Sequence, residues 1–289
     1  VEWRGVTAGG GCMAGACTMR NRILLEPSEL SGRRISLGPR DPRAVHIRTV
    51  LRGSEGLSVR VGVVGGAKGR AEVRAAPPAG SVELQWAETE AEVEQSPRLD
   101  VLLAMPRPKV MKRLWAQLAS LRLGALYVTG GQKVEKSYFT SGALNPEYVY
   151  PQLLRGLEQV GDTSVPGVWL CRDLERTLDS FAGGGGKAPG LQIQERRCAG
   201  GQLAPPSRLL VGHPGGASGG QLEEALEGLE AEERILLAIG PEGGWAPHEV
   251  EALSPPRFHQ VSLGNRPLTT ETACIALPSV IKTLIHDWA

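Results

Sequence analysis

The run Ile235-Leu236-Leu237-Ala238-Ile239 constrains this chain more than any other feature. Five consecutive apolar residues leave no solvent-facing side, so they predict a strand buried on both faces, as in a parallel sheet covered by helices. Leu99–Met105 (LDVLLAM) repeats the pattern, and Ala125–Val128, Val168–Cys171 and Leu209–Val211 are shorter versions of it. Helix-like stretches lie between them. Val110–Leu123 has apolar residues at Val110, Leu114, Leu118 and Leu121, and Val149–Val160 and Leu222–Leu229 follow. Strands alternating with helices predict an α/β domain over 98–289 with a mostly parallel sheet. Between Phe181 and Gly220 the chain is rich in Gly and Pro and is expected to form exposed loops.

The first third reads differently. From Met19 to Leu84, short β-rich runs (Arg22–Leu25, Arg34–Leu37, Leu57–Val64, Ala71–Val73, Val82–Leu84) alternate with turn signals, and Gly65-Gly66 marks a hairpin. Ala44–Leu51 is the one helix-like stretch. Closely spaced strands of this kind predict a small β-barrel over 19–90, and the acidic Trp86–Pro97 segment is the natural boundary. Residues 1–18 show no period and lack the apolar segment of a secretory signal, so they read as a leader, a tag or a disordered stretch.

Several function classes drop out. No window approaches the run of about 18 apolar residues that a membrane span needs. The five cysteines (Cys12, Cys17, Cys171, Cys198, Cys274) form no CxxC pair and no Cys/His cluster, which fits a reducing compartment and offers no metal site. The net charge of +1 conceals an uneven distribution. Residues 1–75 carry 13 Lys/Arg against 6 Asp/Glu, and residues 101–137 carry 7 against 1, whereas the intervening and final segments are acidic. Such asymmetry points to a surface that faces a polyanion.

The chemistry is expected where the buried strands end, because ligands of open parallel sheets bind beyond the strands' carboxyl ends. Directly after Ile239 comes Gly240-Pro241-Glu242-Gly243-Gly244-Trp245, then Pro247 and an acidic helix start at Glu249. Adjacent glycines before a helix let a ligand approach the backbone and its free N–H groups. Val261–Ala273 runs from a short strand through Gly264 into a last helix expected over Thr270–Trp288. Two such loops suggest one shared pocket. No GxxxxGK[ST] phosphate loop is present.

These motifs are familiar. IGPEGGW over 239–245, followed by LGNRPLTTETA over 263–273, resembles the RsmE family, the SPOUT-class methyltransferases of uridine N3 in small-subunit ribosomal RNA. Met19-Arg20-Asn21-Arg22 and His46–Arg52 resemble the opening and the H-x-x-x-V-L-R stretch of that family's PUA-like barrel, so the resemblance spans about residues 19–288. It implies a PUA-like, RNA-binding barrel over 19–90 and a SPOUT domain over 98–289 with a C-terminal trefoil knot, an exception to unknotted connectivity. It also implies a homodimer with S-adenosylmethionine as cofactor, acting on ribosomal RNA or the assembled small subunit, in the cytoplasm or, if residues 1–18 derive from a transit segment, in an organelle.

Carried over by position, the cofactor would meet Gly240, Pro241, Glu242, Gly243, Gly244, Ser262, Leu263, Gly264, Leu268, Thr269, Thr270 and Ala273. Uracil N3 lies on the Watson–Crick edge, so the target base must be unpaired, and N3 must lose its proton. Arg266 and Glu271 are the catalytic candidates. Arg266 would orient the base or phosphate, and Glu271 would cap the last helix or serve as a polar anchor. Arg22, His46 and Arg52 in the barrel, with Arg113, Lys133 and Lys136 beyond it, would hold RNA. The sequence departs from the family pattern at Pro267 (usually Ile) and at three further places, of which Thr269 and Asp162 support a second reading, an RNA-binding protein whose chemistry is weakened or retargeted. Thr269 stands where the family has Arg, Asp162 ends the stretch that usually reads E-Q-S-x-R, and Gln117–Gly124 lacks the usual Lys and Glu. The complete GPEGG turn supports an active enzyme.

Overall fold

The computed structural model describes residues 21–90, 96–182, 190–195, 197, 204–214 and 222–288. The expected leader, Cys12, Cys17, Cys198 and Gly183–Lys187 lie outside the described residues.

Two sheets, each with its own apolar core, organise the chain. The first contains β1 (Ile23–Leu25), β2 (Leu30–Ser31), β3 (Arg34–Leu37), β4 (Ser58–Val63), β5 (Lys68–Ala75) and β6 (Val82–Thr89) in the order β1-β4-β5-β6-β3-β2. Helix α1 (Pro42–Thr49) starts where Asp41 accepts a hydrogen bond from the Arg43 amide and proline occupies the first turn. Alternation decides which side chains turn inward: Val82, Leu84 and Trp86 are buried along β6, and Glu83 and Gln85 between them are more exposed. Ile23, Ile35, Ile47 and Val61 from four other elements join the same cluster. The hairpin at Gly65-Gly66 forms as read, with Gly65 in the left-handed region at φ 71°. Strand β6 reaches Thr89, past Trp86, so the boundary starts later than the acidic composition suggested.

The second sheet is built from β7 (Leu99–Ala104), β8 (Ala125–Thr129), β9 (Gly167–Cys171), β10 (Leu191–Gln194), β11 (Arg208–Gly212), β12 (Ile235–Ile239) and β13 (His259–Val261). Its order is β10-β9-β8-β7-β12-β11-β13, parallel throughout except for β10. The connections carry α2 (Pro108–Ser120), α3 (Pro146–Val160), α4 (Leu174–Ala182), α5 (Leu222–Leu226), α6 (Pro247–Ala252) and α7 (Thr270–Leu284). Every residue of β7, β8 and β12 is buried, as their near-continuous apolar runs require, and the charged member of β7, Asp100, is paired with Arg234 at 2.5 Å. Helix α2 turns Met111, Leu114, Trp115 and Leu118 inward and packs on α3 and α7. It touches α3 so closely at Gly156 that a Cβ there would lie 2.1 Å from the Ala116 carbonyl oxygen.

Helix α4 covers Leu174–Ala182, and within the stretch read as loops Leu191–Gln194 forms β10, which pairs antiparallel with β9. LQIQ is too short and too polar to announce a strand, and its pairing partner decides it. Helix α5 ends at Leu226, with left-handed Gly228 soon after, and α7 ends at Leu284, before left-handed His286 at φ 54°. Among the described residues no helix is long and apolar enough to cross a membrane.

The two sheets are joined by polar groups around one buried arginine. Arg22, only 2% exposed, donates from Nε to the Gly161 carbonyl (2.9 Å), from Nη1 to the Val61 carbonyl (2.6 Å) and from Nη2 to Glu90 (2.7 Å). Its amide donates to the Glu158 carbonyl at the end of α3 (3.0 Å). Thr163 accepts from the Gly65 amide through its carbonyl and donates from its hydroxyl to the Gly66 carbonyl. Asp162 accepts from the Thr163 and Ser164 amides and lies 3.2 Å from Lys68 and 3.8 Å from Arg122.

The burial of Arg22 corrects its assignment as an RNA contact: its donors face inward, to backbone carbonyls and Glu90. Removing a buried charge's partner leaves the others desolvated and unpaired. Arg22→Ala is therefore expected to lower unfolding stability by about 3 kcal/mol, while exposed Arg52→Ala leaves it unchanged, both measured by urea denaturation. A second expectation concerns acid. The Arg43 guanidinium holds the carboxyls of Glu29 and Asp41 below their usual range through short hydrogen bonds. A carboxyl depressed in the folded state stabilises above its unfolded value, and that contribution is lost as pH falls through the folded value. The fold should weaken below about pH 4, and Arg43→Gln should flatten that acid limb in thermal melts recorded against pH.

Candidate functional site

Strands β12, β11 and β13 are neighbours, so their carboxyl ends deliver three loops to one place. The loop Gly240–Trp245 leaves β12, Ser262–Thr269 leaves β13, and His213-Pro214 follows β11. Together they enclose a cleft of about 550 Å³. Every residue expected to meet the cofactor lines it, from Gly240 through Gly244, Ser262 through Gly264, and Leu268, Thr269, Thr270 and Ala273. Arg266 lines it as well. His213 also lines the cleft.

The β12 loop is braced from behind. The Gly244 amide donates to the Pro241 carbonyl (2.8 Å), and Gly244 adopts φ 67°, a conformation that costs a side-chain-bearing residue energy. Lys133 donates from Nζ to the carbonyls of Gly243 (2.8 Å) and Trp245 (3.2 Å). Glu249, 5% exposed, accepts from the Gln132 amide and the Ala246 amide, both at 2.7 Å, so a single carboxylate joins the loop after β8 to the start of α6. Glu242 accepts from the Arg107 amide (3.0 Å), and the Thr270 hydroxyl donates to the Gly240 carbonyl (3.2 Å). The ties made by Lys133, Gln132 and Arg107 come from loops over a hundred residues away in sequence, which is why composition does not disclose the bracing roles of Glu249 and Lys133.

A buried donor at the cleft is left over. Trp245 is 6% exposed, yet its indole Nε1 has no acceptor among the described residues. A Cβ on Gly240 would stand 3.1 Å from it. A buried, unpaired donor costs free energy unless a ligand or water completes it.

The remaining candidates separate into those at the cleft and those away from it. Arg266 is exposed and has no hydrogen bond or ion pair among the described residues. Glu271 does not line the cleft. Arg113 grips it in a two-point pair, Nε to Oε1 at 3.0 Å and Nη2 to Oε2 at 2.7 Å, and this guanidinium holds the carboxyl below its ordinary range. Glu271 is thus a polar anchor between α7 and α2, and Arg113 is engaged by it. Thr269 caps α7, its hydroxyl accepting from the Thr272 amide (3.2 Å). Lys136 is exposed in a 3₁₀ turn (Lys136–Thr140), Arg52 is exposed after α1, and His46 is half-buried in α1. Asp162 precedes β9 and so belongs to the amino edge of the sheet, opposite the cleft. The thiols of Cys171 and Cys274 are buried, and burial raises both, Cys171 to about 12.

Comparison with known proteins agrees with this geometry. The RNA methyltransferase domain family matches residues 94–282, which include the whole second sheet and the cleft. The chain is 28% identical over 268 residues to ribosomal RNA small subunit methyltransferase E of Treponema pallidum, covering 93% of this chain and 92% of that protein. Among solved structures it resembles the S-adenosyl methionine-bound ribosomal RNA small subunit methyltransferase E of Neisseria gonorrhoeae, with a TM-score of 0.65 and 18% identity over 91% of this chain and 97% of the other. A Legionella pneumophila protein solved with SAM gives a TM-score of 0.66 at 20% identity, over 91% of this chain and 96% of that one. At these identities the structures establish a shared fold. With the family match running through both cleft loops, the chain belongs to the RNA methyltransferase family, of the RsmE type that its motifs resemble.

Proposed function

We propose that this chain is an S-adenosylmethionine-dependent methyltransferase of small-subunit ribosomal RNA that acts at uracil N3. One observation carries the reading: the two loops on which the RsmE resemblance rests converge on a single cleft, at the edge of the sheet where ligands of such folds bind. The names of the relatives in T. pallidum and N. gonorrhoeae support the reaction and substrate.

The cleft suits this cofactor. Its volume falls in the range of small-molecule sites, Gly240 and Gly244 keep side chains out of the way, and the unpaired Trp245 indole N–H supplies a waiting donor. When bound, the cofactor supplies an electrophilic methyl group on a sulfonium. The chain does the rest. Gly240–Gly244 and Ser262–Gly264 hold the ligand against the strand ends, and Arg266 at the rim places a free cation where negative charge grows on the uracil oxygens as N3 loses its proton. Glu271, ionised and paired with Arg113, fixes the first turn of α7. Exposed Arg52 and Lys136, with His46, are left to meet RNA. In the same reading residues 19–90 form a PUA-like barrel, and the path from β12 out to β13 and back through α7 to α2 is the crossing of a trefoil knot in a homodimer.

The alternative reading, lost or retargeted chemistry, rested on Thr269 and Asp162. Both have structural work here, one capping α7 and the other at the far edge of the sheet.

Isothermal titration with S-adenosylmethionine and S-adenosylhomocysteine is expected to show micromolar binding, and nucleoside mass spectrometry of small subunits incubated with the protein to show 3-methyluridine. Absence of cofactor binding in folded protein would sink the reading. Gly244→Val, which forces a β-branched residue to φ 67°, should weaken cofactor binding at least about tenfold with the circular dichroism spectrum unchanged. Arg266→Ala should lower the methyl-transfer rate by about a hundredfold while leaving cofactor affinity intact; an unchanged rate would remove Arg266 from the chemistry.

A further inference from the structure

A second cavity, of about 510 Å³, opens in the first sheet beside α1, away from the cleft. Its floor is apolar, formed by Ile23, Leu51, Leu57 and Val59. Its ends carry opposite charge in an arrangement that is unfavourable while the cavity is empty.

At one end stand Arg60 and Arg70, directly opposite each other in the β4–β5 ladder. Like charges facing across a ladder repel. Among the described residues, relief is slight. There Arg60 has only Glu90, at 3.9 Å, which Arg22 already holds at 2.7 Å. Arg70 spends its Nε on the Ser58 hydroxyl. On the neighbouring strand its partner in register is exposed Glu88.

At the other end is Glu158, in the last turn of α3. A carboxylate at a helix carboxyl end opposes the helix dipole. This one is also half-buried, and its side chain has no hydrogen bond or ion pair among the described residues. Burial accordingly raises it above the usual carboxylate range, against the pull of Arg43 and Arg155. Arg43 borders the cavity but cannot turn to Glu158, because all five of its N–H donors are taken by Asp41, Glu29 and the Leu24 carbonyl.

The occupant that satisfies both ends has a flat apolar body, an anion at one end and two adjacent N–H donors at the other. Strand β1 lies between α3 and β4, so the two ends face each other across a distance on the order of 10 Å. A guanosine phosphate meets these terms. Its Watson–Crick edge offers N1–H and the exocyclic N2 amine side by side, matching two carboxylate oxygens. Uracil would instead turn two carbonyl oxygens toward Glu158, and adenine and cytosine offer one amine each. Single-stranded RNA is read in this way, by packing a splayed base and hydrogen bonding its edge.

We propose that this cavity holds one unpaired guanosine of the RNA substrate, with its base on the apolar floor, its N–H edge on Glu158 and its phosphate on Arg60 and Arg70. The proposal rests on the methyltransferase reading for its ligand being RNA, and it places an anchoring nucleotide apart from the one that is methylated.

The test uses the full chain and fluorescently labelled nine-residue oligouridines carrying one central guanosine, inosine or adenosine, with affinity read by fluorescence anisotropy. The guanosine oligonucleotide should bind about tenfold tighter than its inosine counterpart, which lacks only the N2 amine. Glu158→Gln should abolish that preference. Removing a charge that opposes the α3 dipole should leave the melting temperature unchanged or raised, and the inosine comparison needs no variant at all. Arg60→Gln with Arg70→Gln should weaken all three oligonucleotides and reduce the salt slope by about 0.7. Equal affinity for guanosine and inosine, or a preference that survives Glu158→Gln, overturns the proposal. Free guanosine monophosphate that displaces the oligonucleotide at micromolar concentration would make this a mononucleotide site and overturn the RNA assignment. Cofactor titration of the same samples separates the two readings. Cofactor binding without guanosine preference defeats this proposal alone, and guanosine preference without cofactor binding defeats the methyltransferase reading alone.

Discussion

The guanidinium of Arg22 is the point on which the arrangement of the two sheets depends. It lies beside the start of β1, and it donates to both strands of the β4–β5 ladder, to the Gly161 carbonyl at the end of α3 and to Glu90. A charge buried this deeply is tolerable only when its donors are satisfied, and the carbonyls of Val61 and Gly161 are fixed by the secondary structure that carries them. Rotation of one sheet against the other would strand the charge. Lys68, Asp162 and Arg122 extend the same polar seam, and Leu24 and Val64 of the first sheet pack into the core of the second. The orientation of the β-rich unit toward the α/β unit is therefore a property of the folded chain and not of a flexible joint.

What could be read from the sequence follows a physical line. Strands β7, β8 and β12 announce themselves because burial on both faces demands a near-continuous apolar run, and the cleft loops because glycines beside a strand end have few other uses. Residues whose roles depend on partners far along the chain stayed hidden. Arg22 reads as one more basic residue until Gly161, 139 residues away, is beside it. Thr269 and Asp162 look like lost cations because a motif records which residue is present and not what it touches. One is a helix cap and the other a seam residue at the amino edge of the sheet. Strand β10 was missed for the same reason, since its antiparallel partner β9, not its own composition, makes it a strand.

Charge follows the same separation. The basic excess before residue 75 is spent partly inward: Arg22, Arg43 and Lys68 all serve the fold, and Arg52, Arg60 and Arg70 remain for other work. In the second sheet Lys133 and Arg113 are likewise engaged with the chain itself. Segment charge alone overstates the cationic surface available to a polyanion, because Arg22, Arg43, Lys68, Arg113 and Lys133 are engaged with the chain itself.

The two walls of the cleft are held very differently. The Gly240–Trp245 wall is braced by Lys133, Glu249, Arg107 and Thr270, so a change there is felt throughout the sheet edge. The facing wall, Leu263 through Leu268, is exposed along its whole length and is tied down chiefly at its ends. Adaptability is thus concentrated on one side. A laboratory selection for altered ligand preference would accumulate its substitutions at exposed Asn265 and Pro267, where a side chain can be exchanged without disturbing the braced wall opposite.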